Sequence, residues 1–331
     1  MTQAAHLAEV FRLKDLKVQF ATRRGKLNAV RGVTLTVRAG ECLGIVGESG
    51  SGKTVLWRAA MGLLRGKKVM RTGSVRLGEV ELLTLTPKQV RQYWGTDIAM
   101  VFQDPMTALN PVRRIGSQFA EALVKRKGMK KEAAMARVIE LLRLVRMPEP
   151  ELLVRKYPLQ LSGGMRQRVM IAMAIACEPK VLLADEPTTA LDVTVQAQVL
   201  ELLSDLRESL GMGMVIVTHD LGIVAGHSDR IAVLYAGEVV ETAATRDLFA
   251  NTKMPYTEAL LNSIPRLDGA PGDRMQAIDG TPPDPVSETT GCFFAPRCKY
   301  AQDKCGNEHP ELVDDGDGHA YRCFFPLGGR R

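Results

Sequence analysis

Cys42-Leu43-Gly44-Ile45-Val46-Gly47-Glu48-Ser49-Gly50-Ser51-Gly52-Lys53-Thr54 is the stretch that decides how this chain folds. It opens on a continuous apolar run, as expected of a strand buried on both faces. Gly47 to Thr54 then matches the P-loop spacing, two glycines with four residues between them followed by Lys and Thr. A helix is expected to follow from about Lys53 to Leu64. Glycines in such a loop let successive backbone N–H groups point inward around phosphates. The helix N-terminus adds positive potential. Lys53 would reach the β- and γ-phosphates of a nucleotide, and the Thr54 hydroxyl would bind Mg²⁺. The competing reading is a Gly/Ser-rich loop that matches by chance; the flanking strand and helix argue against it.

Working outward, Phe11 to Phe20 alternates loosely, Arg23 to Lys26 reads as a hairpin tip, and Leu27 to Val37 alternates again before a turn at Ala39-Gly40. Together these predict an antiparallel β layer. Residues from about Pro105 to Lys156 read as largely helical, with apolar three- and four-residue spacing in Ser117 to Lys127 and Lys131 to Val145. Strand Val181 to Ala184, helix Thr194 to Leu210 and strand Met214 to Thr218 restore an α/β alternation. A parallel sheet with helices on its faces accommodates that order. Near Thr252 the style changes. Pro and Gly cluster from Pro265 to Pro285, and a second small unit is expected to start near Pro255. There is no internal repeat and no low-complexity tract.

With 331 residues the chain is long enough for about two domains. Apolar and charged fractions of 45% and 24% are those of an ordinary globular protein. The net charge of +7 reads as a solvated basic surface, with a cytoplasmic membrane surface or membrane subunit as an alternative partner. No Lys/Arg block sits among stacking aromatics, so no nucleic-acid partner is expected. The N-terminus lacks a basic start followed by an apolar core, which argues against a secretion signal. Apolar stretches such as Val169 to Cys177 fall short of the ~20 residues of a membrane span. A soluble or peripheral, cytoplasmic protein is expected.

Several polar residues end apolar runs, where a strand delivers side chains to a site. Val181-Leu182-Leu183-Ala184-Asp185-Glu186 ends in two acids: Asp185 would hold Mg²⁺ and Glu186 would polarise an attacking water as general base. The alternative is an ordinary pair of strand-end carboxylates. His219, in Val217-Thr218-His219-Asp220, reads as a polar contact to a γ-phosphate rather than a structural histidine. Gln103, in Val101-Phe102-Gln103-Asp104-Pro105, can bind Mg²⁺ or water; alone it would read as a polar loop residue. Leu161-Ser162-Gly163-Gly164-Met165-Arg166-Gln167-Arg168 stands a short distance before Asp185 and Glu186.

In this order the segments resemble an ABC-type ATPase over nearly the whole chain: Gly47 to Thr54, Gln103, Leu161 to Arg168, Val181 to Glu186, Ala190-Leu191-Asp192, then His219. The resemblance implies an α/β P-loop NTPase core (residues 1–254) with an antiparallel β subdomain and a helical signature subdomain (about 104–178). It implies a head-to-tail dimer in which Ser162, Gly163 and Gly164 contact ATP held by the partner's P-loop, with Asp192 at the interface. Phe20 stands where the family stacks adenine, with a core aromatic as the alternative. Val101 to Pro111, Pro255 to Leu261, Ile264-Pro265 and Gly280-Thr281-Pro282-Pro283 are similar to oligopeptide/dipeptide importer ATPases. The implied assembly is a second ABC ATPase subunit, a paralogue by preference, with two transmembrane permease subunits and an extracytoplasmic substrate-binding protein, at the cytoplasmic face of the plasma membrane. Nickel and glutathione importers share the pattern, so the cargo stays open. A soluble ABC ATPase of DNA repair or translation is the competing class, but it would carry two cassettes or inserted coiled-coil or zinc modules.

Cys42 and Cys177 sit in apolar runs and read as small hydrophobes. Cys292, Cys298, Cys305 and Cys323 fall in an irregular stretch of the expected C-terminal extension (255–331). In a reducing compartment disulfides are disfavoured and metal binding gains weight. Their spacing is wider than that of common zinc ribbons. It matches the terminal motif of the peptide importer ATPases, Gly291-Cys292-Phe293-Phe294-Ala295-Pro296-Arg297-Cys298, and the resemblance implies a structural [4Fe–4S] cluster. Zn²⁺, or no metal, is the alternative, and His309 and His319 are substitute ligands.

Overall fold

The computed structural model describes residues 8–189, 191–263, 278–286 and 289–328. Ala190 and the segment containing Ile264-Pro265 lie outside them. The chain divides into two units. One takes Met1–Val10, Val37–Glu41 and Leu85–Ile216; the other takes Phe11–Thr36, Cys42–Thr84 and Val217–Arg331.

In the first unit, strands Ile98–Val101 and Val181–Asp185 run parallel, with Ile98 opposite Val181 and Val101 opposite Ala184. Gly213–Val217 lies on the other side of Val181–Asp185. Every residue of these strands is buried, which is why their sequences are continuous apolar runs without alternation. The region expected to be largely helical is built from Pro105–Ala108, Ile115–Lys127, Lys131–Leu144 and Pro150–Leu153. Helix Ile115–Lys127 buries Ile115, Phe119 and Leu123 at four-residue spacing. Gly128 stops it in the left-handed conformation, after a last turn of Lys125, Arg126 and Lys127 that suits the helix dipole.

The second unit contains the expected antiparallel layer. Its strand order is Gly25–Arg38, Glu9–Thr22, Val69–Leu77, Val80–Glu81. Phe11 in this layer and Trp57 are fully buried, with ring centroids 6.3 Å apart. Such aromatic pairs contribute about 1 kcal/mol beyond the area they bury. Cys42–Val46 runs parallel to Arg230–Tyr235. A tight turn at Ala236 (φ 49°) and Gly237 (φ 83°) returns the chain as Glu238–Ala244. Ala320–Tyr321 then adds to Glu238–Ala244, and Val313–Asp314 to Ala320–Tyr321. The sequence reading does not anticipate this hairpin. The helix after the P-loop spans Lys53–Ala60 and stops before the expected Leu64, because Gly62 takes a left-handed conformation (φ 71°). Among the described residues no helix is long and apolar enough to cross a membrane.

Candidate nucleotide site

The second unit carries the phosphate loop. Gly47 (φ 154°) ends the buried strand, and a Cβ there would run into the Leu234 carbonyl oxygen. Gly52 (φ 100°) precedes the helix, and a Cβ there would run into the Ala29 carbonyl oxygen. No other residue type fits either position without moving backbone. Ser49 and Gly50 form the exposed crest, whereas Ser51 and Lys53 are buried. Lys53 Nζ donates to the carbonyls of Gly47 (2.6 Å) and Glu48 (2.9 Å), so it is folded against its own loop. Thr54 lies in the first turn of the helix. His219 is exposed beyond strand Gly213–Val217, between buried Thr218 and Asp220, whose carboxylate caps the next helix by accepting from Gly222 N–H. Phe20 is half-buried, opposite Val69.

The first unit carries the acids and the Ser-Gly-Gly segment. Asp185 is the last residue of its strand and is 2% exposed. Glu186 follows in a left-handed conformation (φ 47°), which costs a non-glycine residue of order 1 kcal/mol and turns its carboxylate out of the strand. Glu186 Oε2 accepts from the Gln103 side-chain amide (2.8 Å) and from the Thr189 hydroxyl (2.9 Å). Ser162 caps helix Gly163–Ile175, its hydroxyl accepting from Met165 N–H at 3.3 Å. Ser162 is exposed, and Gly163 and Gly164 are half-buried in the first turn. Asp192 caps Val193–Leu210 by accepting from Val195 N–H at 3.0 Å. Thr189 joins the site through its hydroxyl contact with Glu186, and its signal in the sequence is the Thr188-Thr189 doublet just after the acids.

The iron–sulfur expectation fails. Among the described residues no group of three or more His, Cys, Asp or Glu side chains is placed to hold a metal ion. Cys292, Cys298, Cys305 and Cys323 instead line an apolar cavity together with Met254, Pro255, Phe294, Phe324 and Phe325. Burial pushes the thiols of Cys292 and Cys298 up, and that of Cys323 up to about 11. A protonated thiol in such apolar surroundings packs as a small hydrophobe. The substitute histidines are engaged elsewhere: His319 Nε2 with Glu241 (2.7 Å), and His309 with the Gly291 carbonyl (3.1 Å) and Glu238 (3.0 Å). The zinc alternative falls with them.

Residues 30–189 match the family model described as ABC transporter. Residues 240–305 match that of the oligopeptide/dipeptide transporter C-terminal region. An oligopeptide transport ATP-binding protein of Bacillus subtilis (AppD) is 46% identical over 321 residues, which cover 96% of this chain and 97% of the relative. A dipeptide transport ATP-binding protein of Haemophilus influenzae (DppD) is 47% identical over 316 residues, 95% of each chain. Among solved structures, the dimeric cassette of a bacterial ABC transporter superposes with a TM-score of 0.64 at 30% identity, covering 71% of this chain and 99% of that one. The same cassette in a post-hydrolysis state with ADP and Pi gives 0.64 at 29%. An ATP-hydrolysing cassette with this C-terminal region places the chain in the ABC transporter family, among the oligopeptide/dipeptide transport ATP-binding proteins.

Proposed function

We propose that this chain is one of two ATPase subunits that energise a peptide importer from the cytoplasmic face of the membrane, through two permease subunits and an extracytoplasmic binding protein. The match of residues 240–305 to the oligopeptide/dipeptide C-terminal region, beyond the cassette itself, carries the cargo assignment. In this reading residues 1–254 are the cassette, with residues 104–178 its helical subdomain, and 255–331 are a C-terminal extension bearing four free cysteines, Cys305 buried and the other three half-buried. The P-loop N–H groups and Lys53 take the phosphates, and Phe20 stacks the adenine. Thr54, Gln103 and Asp185 offer hard oxygen donors suited to Mg²⁺, which when bound neutralises charge on the phosphates. Glu186, its carboxylate fixed by the Gln103 amide and the Thr189 hydroxyl, orients the attacking water and accepts its proton. His219 contacts the γ-phosphate. Ser162, Gly163 and Gly164 serve the ATP bound by the opposite subunit, and Asp192 lies at that interface.

The test is uptake by proteoliposomes holding this chain, its paralogue and the two permeases, with the binding protein outside. ATP-dependent accumulation of a labelled di- or oligopeptide is expected. Accumulation of nickel or glutathione in its place would overturn the cargo assignment.

A further inference from the structure

Glu48, inside the phosphate loop, is held from outside that loop. Its backbone N–H donates to the Tyr256 hydroxyl at 2.9 Å. Its carboxylate receives Arg297 in a two-pronged pair, Nη1 to Oε2 at 2.7 Å and Nη2 to Oε1 at 2.9 Å. Its carbonyl accepts from Lys53 Nζ. Every polar group of Glu48 is thus taken, two of the three by residues more than 200 positions away in sequence. Arg297 is equally committed. Its five N–H donors find Glu48 twice, the Tyr235 hydroxyl (3.3 Å), and the carbonyls of Asp279 (2.8 Å) and Ile278 (3.2 Å). A guanidinium has five donors in a rigid fork, so this pose leaves it no second orientation. The side chain is 3% exposed. Tyr235, Tyr256 and Phe294 pack around the pair, with ring centroids 4.4 to 5.4 Å apart. Gly280 keeps the approach open, since a Cβ there would stand 3.2 Å from Arg297 Cγ.

A carboxylate in a phosphate loop opposes the anion the loop is built to take, at a distance where screening by water is reduced. Arg297 offsets that charge and fixes the residue against which Lys53 rests. Resting on the nucleotide reading above, we infer that Arg297 is a positioning residue for nucleotide binding: the C-terminal region braces the phosphate loop through Arg297 and Tyr256. Removing Arg297 frees a half-buried carboxylate beside the phosphates and slackens the loop. Removing the carboxylate as well takes away what Arg297 was there to counter.

The test is calorimetric titration of the full chain with Mg-ATP, alongside far-ultraviolet circular dichroism to confirm folding. Arg297→Met is expected to weaken binding about tenfold, and Arg297→Lys by less, because an ammonium keeps the charge without the fork. In chains carrying Glu48→Gln, adding Arg297→Met is expected to change affinity by no more than about twofold. A folded Arg297→Met chain that binds as tightly as wild type overturns the inference. So does an Arg297→Met effect that is undiminished in the presence of Glu48→Gln, which would reduce Arg297 to general packing. Should Arg297→Met not fold, the same comparison is made with Arg297→Lys, with and without Glu48→Gln. Loss of the nucleotide reading looks different: wild type itself would bind no ATP, and Lys53→Ala would change nothing.

Discussion

Glu186 sits on a strained backbone with its carboxylate already engaged by an amide and a hydroxyl. In the proposed role of general base, Glu186 would lose function through chemistry or through aim, and two substitutions separate the routes. Glu186→Gln keeps the shape and removes the proton acceptor. ATP turnover by the assembled transporter is expected to fall by about 10²-fold or more, with ATP binding intact. Unchanged turnover would mean that another group activates the water. Thr189→Val leaves the carboxylate and removes one of the groups that hold it, so turnover is expected to fall less, within about tenfold, with ATP KM little changed. The two residues also mark how far the sequence can be read. Glu186 is legible because motif spacing places an acid at the end of an apolar strand. The Thr189 contact depends on the left-handed turn at Glu186, which no local propensity announces. The tail cysteines fail in the opposite sense: their spacing suggests ligands, while the fold places them in the lining of an apolar cavity with Phe294, Phe324 and Phe325.

Helices with one apolar stripe were legible almost to their ends, as Ile115–Lys127 and Val193–Leu210 show. Element contacts were not. The two glycines after Ser162 read as an anion site, yet Gly164 also has a packing reason to lack a side chain. A Cβ there would stand 2.7 Å from Val195 Cγ1, on the helix that Asp192 caps. Val195 is β-branched and cannot easily swing aside. Gly164→Ala is therefore expected to lower stability by about 1–3 kcal/mol from overpacking, only partly offset by about 1 kcal/mol of improved helix propensity. Adding Val195→Ala should restore most of the loss, read by chemical unfolding of the full chain. Equal midpoints for wild type and Gly164→Ala would show that the helix pair yields without strain. Strands Arg230–Tyr235 and Glu238–Ala244, joined at Ala236-Gly237, were not legible in the sequence. Their first strand is buried almost throughout and their second nearly so, leaving no alternation to find.

Seen across the whole chain, the C-terminal region is tied to the unit that holds the phosphate loop by buried ionic groups that sequence order does not reveal. Glu241, fully buried, accepts from the N–H groups of Lys253 (2.6 Å) and Met254 (3.1 Å) and meets His319. Glu238 meets His309 at 3.0 Å and Arg322 at 3.5 Å. His309 Nδ1 is 3.1 Å from the Gly291 carbonyl, and Nε2 is 3.0 Å from the Glu238 carboxylate, an ion-pair contact rather than an aligned hydrogen bond. A carboxylate this close favours the imidazolium. The His309 pKa is raised, first by Glu238, against an opposing cost of burial. Because the folded value lies above the unfolded one, the stabilisation is fully present below the unfolded pKa of about 6.5 and is lost as pH rises through the folded value. Anchoring of residues 309–322 should therefore weaken between neutral and mildly alkaline pH. The measurement is amide hydrogen exchange of the peptide spanning 313–322, corrected for the intrinsic pH dependence of exchange. Protection is expected to drop with rising pH in the wild type and to be lower but nearly flat in His309→Gln. A wild-type profile as flat as that of the variant would mean that Arg322 and the strand pairing of Ala320–Tyr321 hold this region without His309.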